Sequence, residues 1–493
     1  MGRARFLRSW RSSRGRFAPY ILGVGLLALA SALLLFALYA LLLREAAGGF
    51  LLSSGLAAIF GGLLLGAGQS SADPTRREAL IGVLLLWLAV PFFGALPFAF
   101  SGGMTLFNAL FESMSGFTTT GATVLRDFDA FGQSLFMWRA FIQWVGGVGI
   151  IVLFIAVFPQ LALAGRQLFF SETPGPTEER LTPRLRNTAN AVLLVYVGLT
   201  VLCALAYAVA GMPPQEAVAH AFTTLAAGGF SSSPTSFEGF SAPALEWLAI
   251  LFMTFAGANF ALQYRALMGR PGELTRDPEL RAYLLIIVVA GALVTGALLG
   301  TYDPLGALRH GFFQVISVLT TTGFASADFA LWPPQAQVVL LVLMFIGGSA
   351  GSAAGGVKVV RWLIITKSTA QEVRRTLHPR AVLPIRIGSR AIPDEVMRAV
   401  SAFITLYVGL FAVGTAVLAW LEGDFITAFT ATIACLGNIG PGLASVGPML
   451  NFADLHPVSR GLLTFLMYAG RLEVVVVFIV LNADFWHFPR RRS

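Results

Sequence analysis

The sequence predicts an all-α polytopic membrane protein. Four pseudo-repeats of outer helix, short re-entrant helix and inner helix surround one axis, and two further transmembrane helices precede them. Three observations carry that prediction. Of 493 residues, 56% are hydrophobic and only 12% charged, with a mean hydropathy of +0.75; a soluble domain carries about a quarter charged residues. The apolar excess lies in stretches long enough to cross a bilayer, whose ~30 Å core takes roughly 20 residues of helix. Between some of these stretches lie shorter apolar pieces, each followed by a turn rich in glycine and small polar residues, and this order occurs four times.

The first element, 17–43 (FAPYILGVGLLALASALLLFALYALLL), exceeds the crossing length and the apolar region of a cleaved signal peptide, so it is read as a retained span. Further spans are placed at 49–68, 79–100, 134–160, 187–211, 244–268, 281–300, 336–366, 396–420 and 457–482. The pieces near 105–117, 214–226, 305–320 and 424–436 are too short to cross and read as re-entrant. Irregular backbone at membrane depth survives only if buried in protein or lining a wet cavity, so each piece implies a pore or binding site. The expected divisions are a basic N-terminus 1–16, two helices in 17–70, and repeats 71–165, 166–275, 276–375 and 376–493. The period is loose, with insertions in the connections.

The net charge of +9 is a matter of topology rather than a nucleic-acid footprint. All but six of the 34 Lys and Arg fall within 1–16, 76–77, 166–186, 265–281, 358–398 and 490–492; the exceptions are Arg44, Arg126, Arg139, Arg309, Arg460 and Arg471. Basic residues concentrate on the cytoplasmic side of membrane proteins, which puts both termini in the cytoplasm. The four copies then share one topology, favouring a channel-like ring over an inverted-repeat transporter. The two cysteines, Cys203 and Cys435, lie in apolar context, and the five histidines show no metal-ligand spacing. No nucleophile–base pair or phosphate-binding loop is visible, so neither an enzyme nor a cofactor is expected.

The four turns read GFTTTGATVL (116–125), LAAGGFSSS (225–233), LTTTGFASAD (319–328) and LGNIGPGLAS (436–445). Aligned on Gly121, Gly228, Gly323 and Gly440, they are spaced by 107, 95 and 117 residues. A cation filter replaces the hydration shell with backbone carbonyls, and inward-pointing carbonyls need dihedrals that glycine adopts without a Cβ penalty. The expected ligands are the backbones of Thr119, Thr120, Gly121, Ala227, Gly228, Thr321, Thr322, Gly323, Asn438, Ile439 and Gly440, with the threonine hydroxyls as added oxygens. The turns carry no acidic residue before Asp127 and Asp328. A divalent ion would want carboxylates, so a neutral carbonyl site suits potassium, with sodium as the fallback. The short helices would aim their negative dipole ends at the same place.

Several strings together resemble a known family: FESMSGFTTTGATVL (111–125), WRAFIQWVGGVGIIVL (138–153), SETPGPTEERLTPR (171–184), HAFTTLAAGGFSS (220–232), MFIGGSAGSAAGGVKVVR (344–361), HPRAVLPIRIG (378–388), CLGNIGPGL (435–443) and MYAGRLEVVVV (467–477). The chain resembles the Trk/Ktr/HKT potassium transporters over nearly its whole length, and its two extra N-terminal helices look like the TrkH branch. The resemblance implies potassium uptake across a bacterial cytoplasmic membrane and a homodimer. It also implies a separate cytosolic nucleotide-binding subunit, TrkA-like, for which the basic 361–398 loop is a docking surface. The chain departs from the family pattern at Ala226 and Ala227, where hydroxyl residues are usual, and at Gly437, where Asn is usual.

Residues 347–356 (GGSAGSAAGG), with Gly347, Gly348, Gly351, Gly355 and Gly356, interrupt the inner helix of the third repeat. Two readings are open: close helix packing through small residues, or a flexible intramembrane gating loop, which the resemblance favours. Lys358 closes this segment and is placed to contact its carbonyls. Arg471 falls inside the last expected span, where a charge is costly and normally faces a cavity or partner. Glu473, two residues on, lies off that helical face, so Arg471 is expected to point into the pore and hold cations back. An ion-coupled secondary transporter is the alternative; it predicts acidic residues at span centres, which are almost free of them.

Overall fold

The computed structural model describes residues 16–70, 75–129, 131–156, 181–240, 242–377, 384–388 and 390–486. The expected basic N-terminus (apart from Arg16), the 166–180 part of the third basic segment, most of the 378–388 string and the C-terminal basic run lie outside those residues. The described residues are mostly helical, and six helices among them are long and apolar enough to cross a membrane. Large apolar side chains such as Leu35, Leu63, Leu194, Leu285 and Val413 face outward on these helices, a surface that suits lipid and not water.

The contacts divide the chain into two compact units. The first holds residues 1–114, 129–139 and 472–493. Its main elements are α1 (Phe17–Leu42), α2 (Gly48–Ala67) and α3 (Arg76–Phe100). α1 and α2 cross so closely that a Cβ on Gly23 would fall 2.6 Å from the Leu65 nitrogen and 2.9 Å from the Gly61 carbonyl. Small residues at such crossings let backbones approach, the usual device of helix pairs in lipid. α3 begins with a capping box, in which the Thr75 hydroxyl accepts from the Glu78 N–H and Glu78 accepts from the Thr75 N–H. The Trp138 indole donates to the Gly94 carbonyl at 3.1 Å, and Arg139 pairs with Glu112 at 2.6 Å with both side chains buried.

The second unit holds 115–128 and 140–471. Along the chain, α4 (Leu106–Phe117), α5 (Gln133–Ala156), α6 (Leu181–Val209), α7 (Pro214–Leu225), α8 (Pro243–Ala256), α9 (Phe260–Leu267), α10 (Gly272–Arg276), α11 (Pro278–Leu298) and α12 (Pro304–Leu319) follow one another. Next come α13 (Pro334–Met344), α14 (Val359–Leu377), α15 (Asp394–Glu422), α16 (Phe425–Leu436) and α17 (Pro457–Arg471), while α18 (Val474–Leu481) and α19 (Ala483–Trp486) belong to the first unit. α4, α7, α12 and α16 fall where the short apolar pieces were expected, each preceded by a long helix and followed by a turn. Side-chain caps set two of the four starts: the Asp303 carboxylate accepts from the Gly306 N–H, and Asp424 accepts from the N–H groups of Ile426 and Thr427.

Three expected spans prove to be broken. The stretch 244–268 divides into α8 and α9, bent by 98°. Gly257 caps α8, and the Asn259 side chain restarts α9 by accepting from the Leu262 N–H. The stretch 336–366 divides into α13 and α14 around a loop. The stretch 457–482 ends as α17 at Arg471 and resumes at Val474, with Glu473 at φ +68°. Arg471 is therefore the last residue of a helix and not a mid-span charge. A two-stranded antiparallel hairpin, Arg386–Ile387 with Arg390–Ala391, leads into α15 and was not expected.

Candidate cation site

The four short helices end alike. At α4 the Thr119 N–H donates to the Gly116 carbonyl at 2.9 Å, and the Thr120 N–H donates to Ser115 at 2.8 Å. Ala227 and Gly228 make the same pair to Thr224 and Thr223, Thr321 and Thr322 to Val318 and Ser317, and Asn438 and Ile439 to Cys435 and Ala434. This is the Schellman arrangement, which needs a left-handed residue just past the helix. That residue is not glycine in any copy: Thr119, Ala227, Thr321 and Asn438 have φ of 51°, 53°, 56° and 55°. A non-glycine residue held there costs of order 1–3 kcal/mol and persists only where its surroundings impose it.

Two residues later a glycine is also left-handed: Gly121 (φ 82°), Gly229 (75°), Gly323 (81°) and Gly440 (104°). This corrects the register of the second turn. Gly228 was aligned with Gly121, Gly323 and Gly440, but the backbone puts Gly229 there, and Gly228 stands with Thr120, Thr322 and Ile439. Two adjacent glycines are interchangeable by spacing, and only their dihedrals separate them.

The turns meet one another in sequence. A Cβ on Gly121 would strike the Gly228 carbonyl; on Gly229, that of Thr322; on Gly323, that of Ile439; on Gly440, that of Thr120. Each approach lies below 3.0 Å, closer than a real Cβ comes, and the fourth contact returns to the first turn. The residues involved are buried or nearly so. Among the described residues, no protein donor reaches the carbonyls of Thr119, Ala227, Thr321 and Asn438, nor those of the four glycines. Buried carbonyls are almost always paired, so eight unpaired ones in one place are a chemical feature and not a packing accident.

The threonine hydroxyls are largely taken. Those of Thr118 and Thr120 lie 2.7 Å apart, those of Thr320 and Thr322 2.8 Å apart, and Thr120 also accepts from the Asn438 amide at 3.0 Å. Thr321 accepts from the Gly355 N–H at 2.6 Å. Of the turn threonines among the described residues, only Thr119 has a hydroxyl buried without a protein partner, so the expectation of added hydroxyl ligands narrows to that residue. In the second turn, where hydroxyls are missing, Gln143 of α5 acts as a brace. Its amide donates to the Gly228 carbonyl at 2.6 Å and accepts from the Phe230 N–H at 3.1 Å. Sequence reading missed Gln143; a polar residue inside the apolar run WRAFIQWVGG was the available signal.

Between α13 and α14, residues 345–358 form a loop and not a packed helix. Its neck is closed by Lys358 N–H to the Ile346 carbonyl and Val359 N–H to Gly348, at 2.9 and 3.0 Å. Gly347, Gly351 and Gly356 take positive φ. Gly348 and Gly355 do not, but they allow close approach: a Cβ would fall 2.9 Å from the Gly257 carbonyl and 2.5 Å from that of Gly437, respectively. The loop is tethered along its length. The break between α8 and α9 binds it through Ser349 N–H to Gly257, Ala353 N–H to Ala256 and Phe260 N–H to Gly351, at 2.9, 3.1 and 3.1 Å. Lys358 donates its ammonium to the Ala354 carbonyl, as expected of it. Arg471 is buried and donates to the Ala353 carbonyl at 3.0 Å; its guanidinium is bound to the loop and not free.

A family model described as TrkH, cation transport protein, matches residues 51–487. The chain belongs to the TrkH family. It is 38% identical over 476 residues to the Trk system potassium uptake protein TrkH of Salmonella typhimurium, covering 94% of this chain and 98% of that one. Against the TrkH of Escherichia coli K12 the identity is 37% over 475 residues, with the same coverage. The crystal structure of the potassium transporter TrkH from Vibrio parahaemolyticus superposes with a TM-score of 0.87 at 35% identity, covering 95% of this chain and 99% of that one. The likeness to these TrkH-family members therefore spans the four turns, the loop and Arg471 together.

Proposed function

We propose that this chain takes up potassium through a channel-like pore, with the ion as substrate and no cofactor. Its selectivity site is the closed set of turns at Thr119–Gly121, Ala227–Gly229, Thr321–Gly323 and Asn438–Gly440, contributed by four repeats around one axis. The observation that carries this reading is the cyclic run of glycine-to-carbonyl contacts, with eight unpaired carbonyls beside it. Four neutral turns of this kind offer an ion the oxygens it loses from its hydration shell. Left-handed glycines hold the strands close enough to act on one ion.

The loop 345–358 and Arg471 form the barrier. The loop is narrow and uncharged apart from Lys358, and it is linked to the third turn through Gly355 and Thr321. Arg471 holds its middle through the Ala353 carbonyl and adds a positive charge beside the path. By resemblance to the same family, the chain works in a bacterial cytoplasmic membrane with both termini cytoplasmic, as a homodimer. A TrkA-like nucleotide-binding subunit docks on 361–398. The testing experiment is rubidium uptake by purified protein in proteoliposomes with sodium as competitor. Rubidium uptake that resists a large sodium excess supports the reading, and equal competition by sodium refutes the potassium assignment.

A further inference from the structure

Glu279 stands in the first turn of α11, one residue after Pro278 and two after the Asp277 cap. One carboxylate oxygen accepts from two distant backbone groups, the Ala350 N–H at 2.7 Å and the Val360 N–H at 3.2 Å. Ala350 lies in the middle of the 345–358 loop. Val360 lies in the first turn of α14, where N–H groups have no partner within their own helix. A carboxylate at that end is also favoured by the helix dipole. The same oxygen thus caps α14 from another helix and fixes the loop to it. The three backbone bonds to the α8–α9 break hold the loop elsewhere, so Glu279 and that break are separate anchors. The α11 start follows directly on the basic segment carrying Arg265, Arg270 and Arg276.

We propose that Glu279 is a positioning residue for the barrier: by binding Ala350 and Val360 through one oxygen, it keeps the 345–358 loop in its blocking arrangement. This rests on the reading of that loop as the barrier. Even a neutral hydrogen bond is worth roughly a two- to tenfold shift in an equilibrium, and two are made here. The test is rubidium uptake into proteoliposomes by the full chain alone, comparing wild type, Glu279→Ala, Glu279→Gln and Arg471→Ala. Glu279→Ala is expected to raise basal uptake by about tenfold or more. Glu279→Gln, which keeps an acceptor oxygen at the same reach, returns uptake toward wild type. The rubidium-to-sodium ratio stays at the wild-type value in both, because the four turns are untouched. Should Glu279→Ala not be recovered as folded protein, Glu279→Asp takes its place, since it is one methylene too short to reach both N–H groups. If Arg471→Ala leaks and Glu279→Ala does not, the inference fails while the barrier stands. If neither leaks, the barrier reading fails and takes the inference with it. Equal uptake by the Ala and Gln variants also overturns the inference, because a retained acceptor must restore the tether.

Discussion

The two adjacent glycines of the second turn give a sharp test of the site. Gly229 has a φ of 75°, and a Cβ there would strike the Thr322 carbonyl. For an L-residue the left-handed conformation costs roughly 1–2 kcal/mol, and forcing extra atoms into a packed site costs about 1–3 kcal/mol more. Gly229→Ala therefore carries about 2–5 kcal/mol of strain placed on a carbonyl beside the proposed ion site. Relieved by rotating that carbonyl, this is at least a ~30-fold change in relative ion preference. Gly228 has no positive φ, and its Cβ would meet the end of the Gln143 side chain. Gly228→Ala then adds no strained dihedral and displaces the Gln143 brace, whose two neutral hydrogen bonds are worth about 1 kcal/mol each. The assay is rubidium uptake against a sodium series in proteoliposomes, with thermal unfolding measured alongside to confirm folded protein. Gly229→Ala should lose most of its preference for rubidium and Gly228→Ala should lose much less. The reverse order would refute the register and the ring built on it.

Three further outcomes follow from the same contacts. Arg471→Ala removes a charged donor from the Ala353 carbonyl, a bond worth about 1.5–3 kcal/mol, so basal rubidium uptake by the isolated protein should rise roughly tenfold or more; uptake equal to wild type would put the barrier elsewhere. Gln143→Leu leaves the Gly228 carbonyl and the Phe230 N–H without their brace. Sodium competition should strengthen while the thermal midpoint falls by a few degrees, and unchanged competition would show the brace to be idle. Thr321→Val removes the hydroxyl that accepts from Gly355 and should raise basal uptake with a smaller change in ion preference. A change in preference with no leak would show that the link does not hold the loop.

The positions of the short helices were legible because length and apolarity alone separate a helix of 12 to 16 residues from a span. The pieces expected at 105–117, 214–226, 305–320 and 424–436 are Leu106–Phe117, Pro214–Leu225, Pro304–Leu319 and Phe425–Leu436. The second turn was misread by one residue because glycine carries no side chain to mark its role; the difference between Gly228 and Gly229 is one dihedral angle. The breaks at Gly257–Asn259 and after Arg471 were hidden because the apolar residues on either side keep each stretch apolar on average, and Asn259 is a cap only once the chain has turned. The 347–356 segment announced itself through composition, but its tethers did not. The partners of Ala350 and of Arg471 lie 71 and 118 residues away, and no local pattern pairs them. Arg471 was visible as an intramembrane charge, yet its attachment to the Ala353 carbonyl depended on where the loop passes.

The central claim is that the four turns make one cation site, in the register Gly121, Gly229, Gly323 and Gly440. Crystals of the protein grown in rubidium, measured at the rubidium absorption edge, test it most directly. The account predicts anomalous density enclosed by the unpaired carbonyls of Thr119, Ala227, Thr321 and Asn438 and of the four glycines, and its loss when sodium replaces rubidium. Strong rubidium density elsewhere in the molecule, with none among these carbonyls, would contradict it.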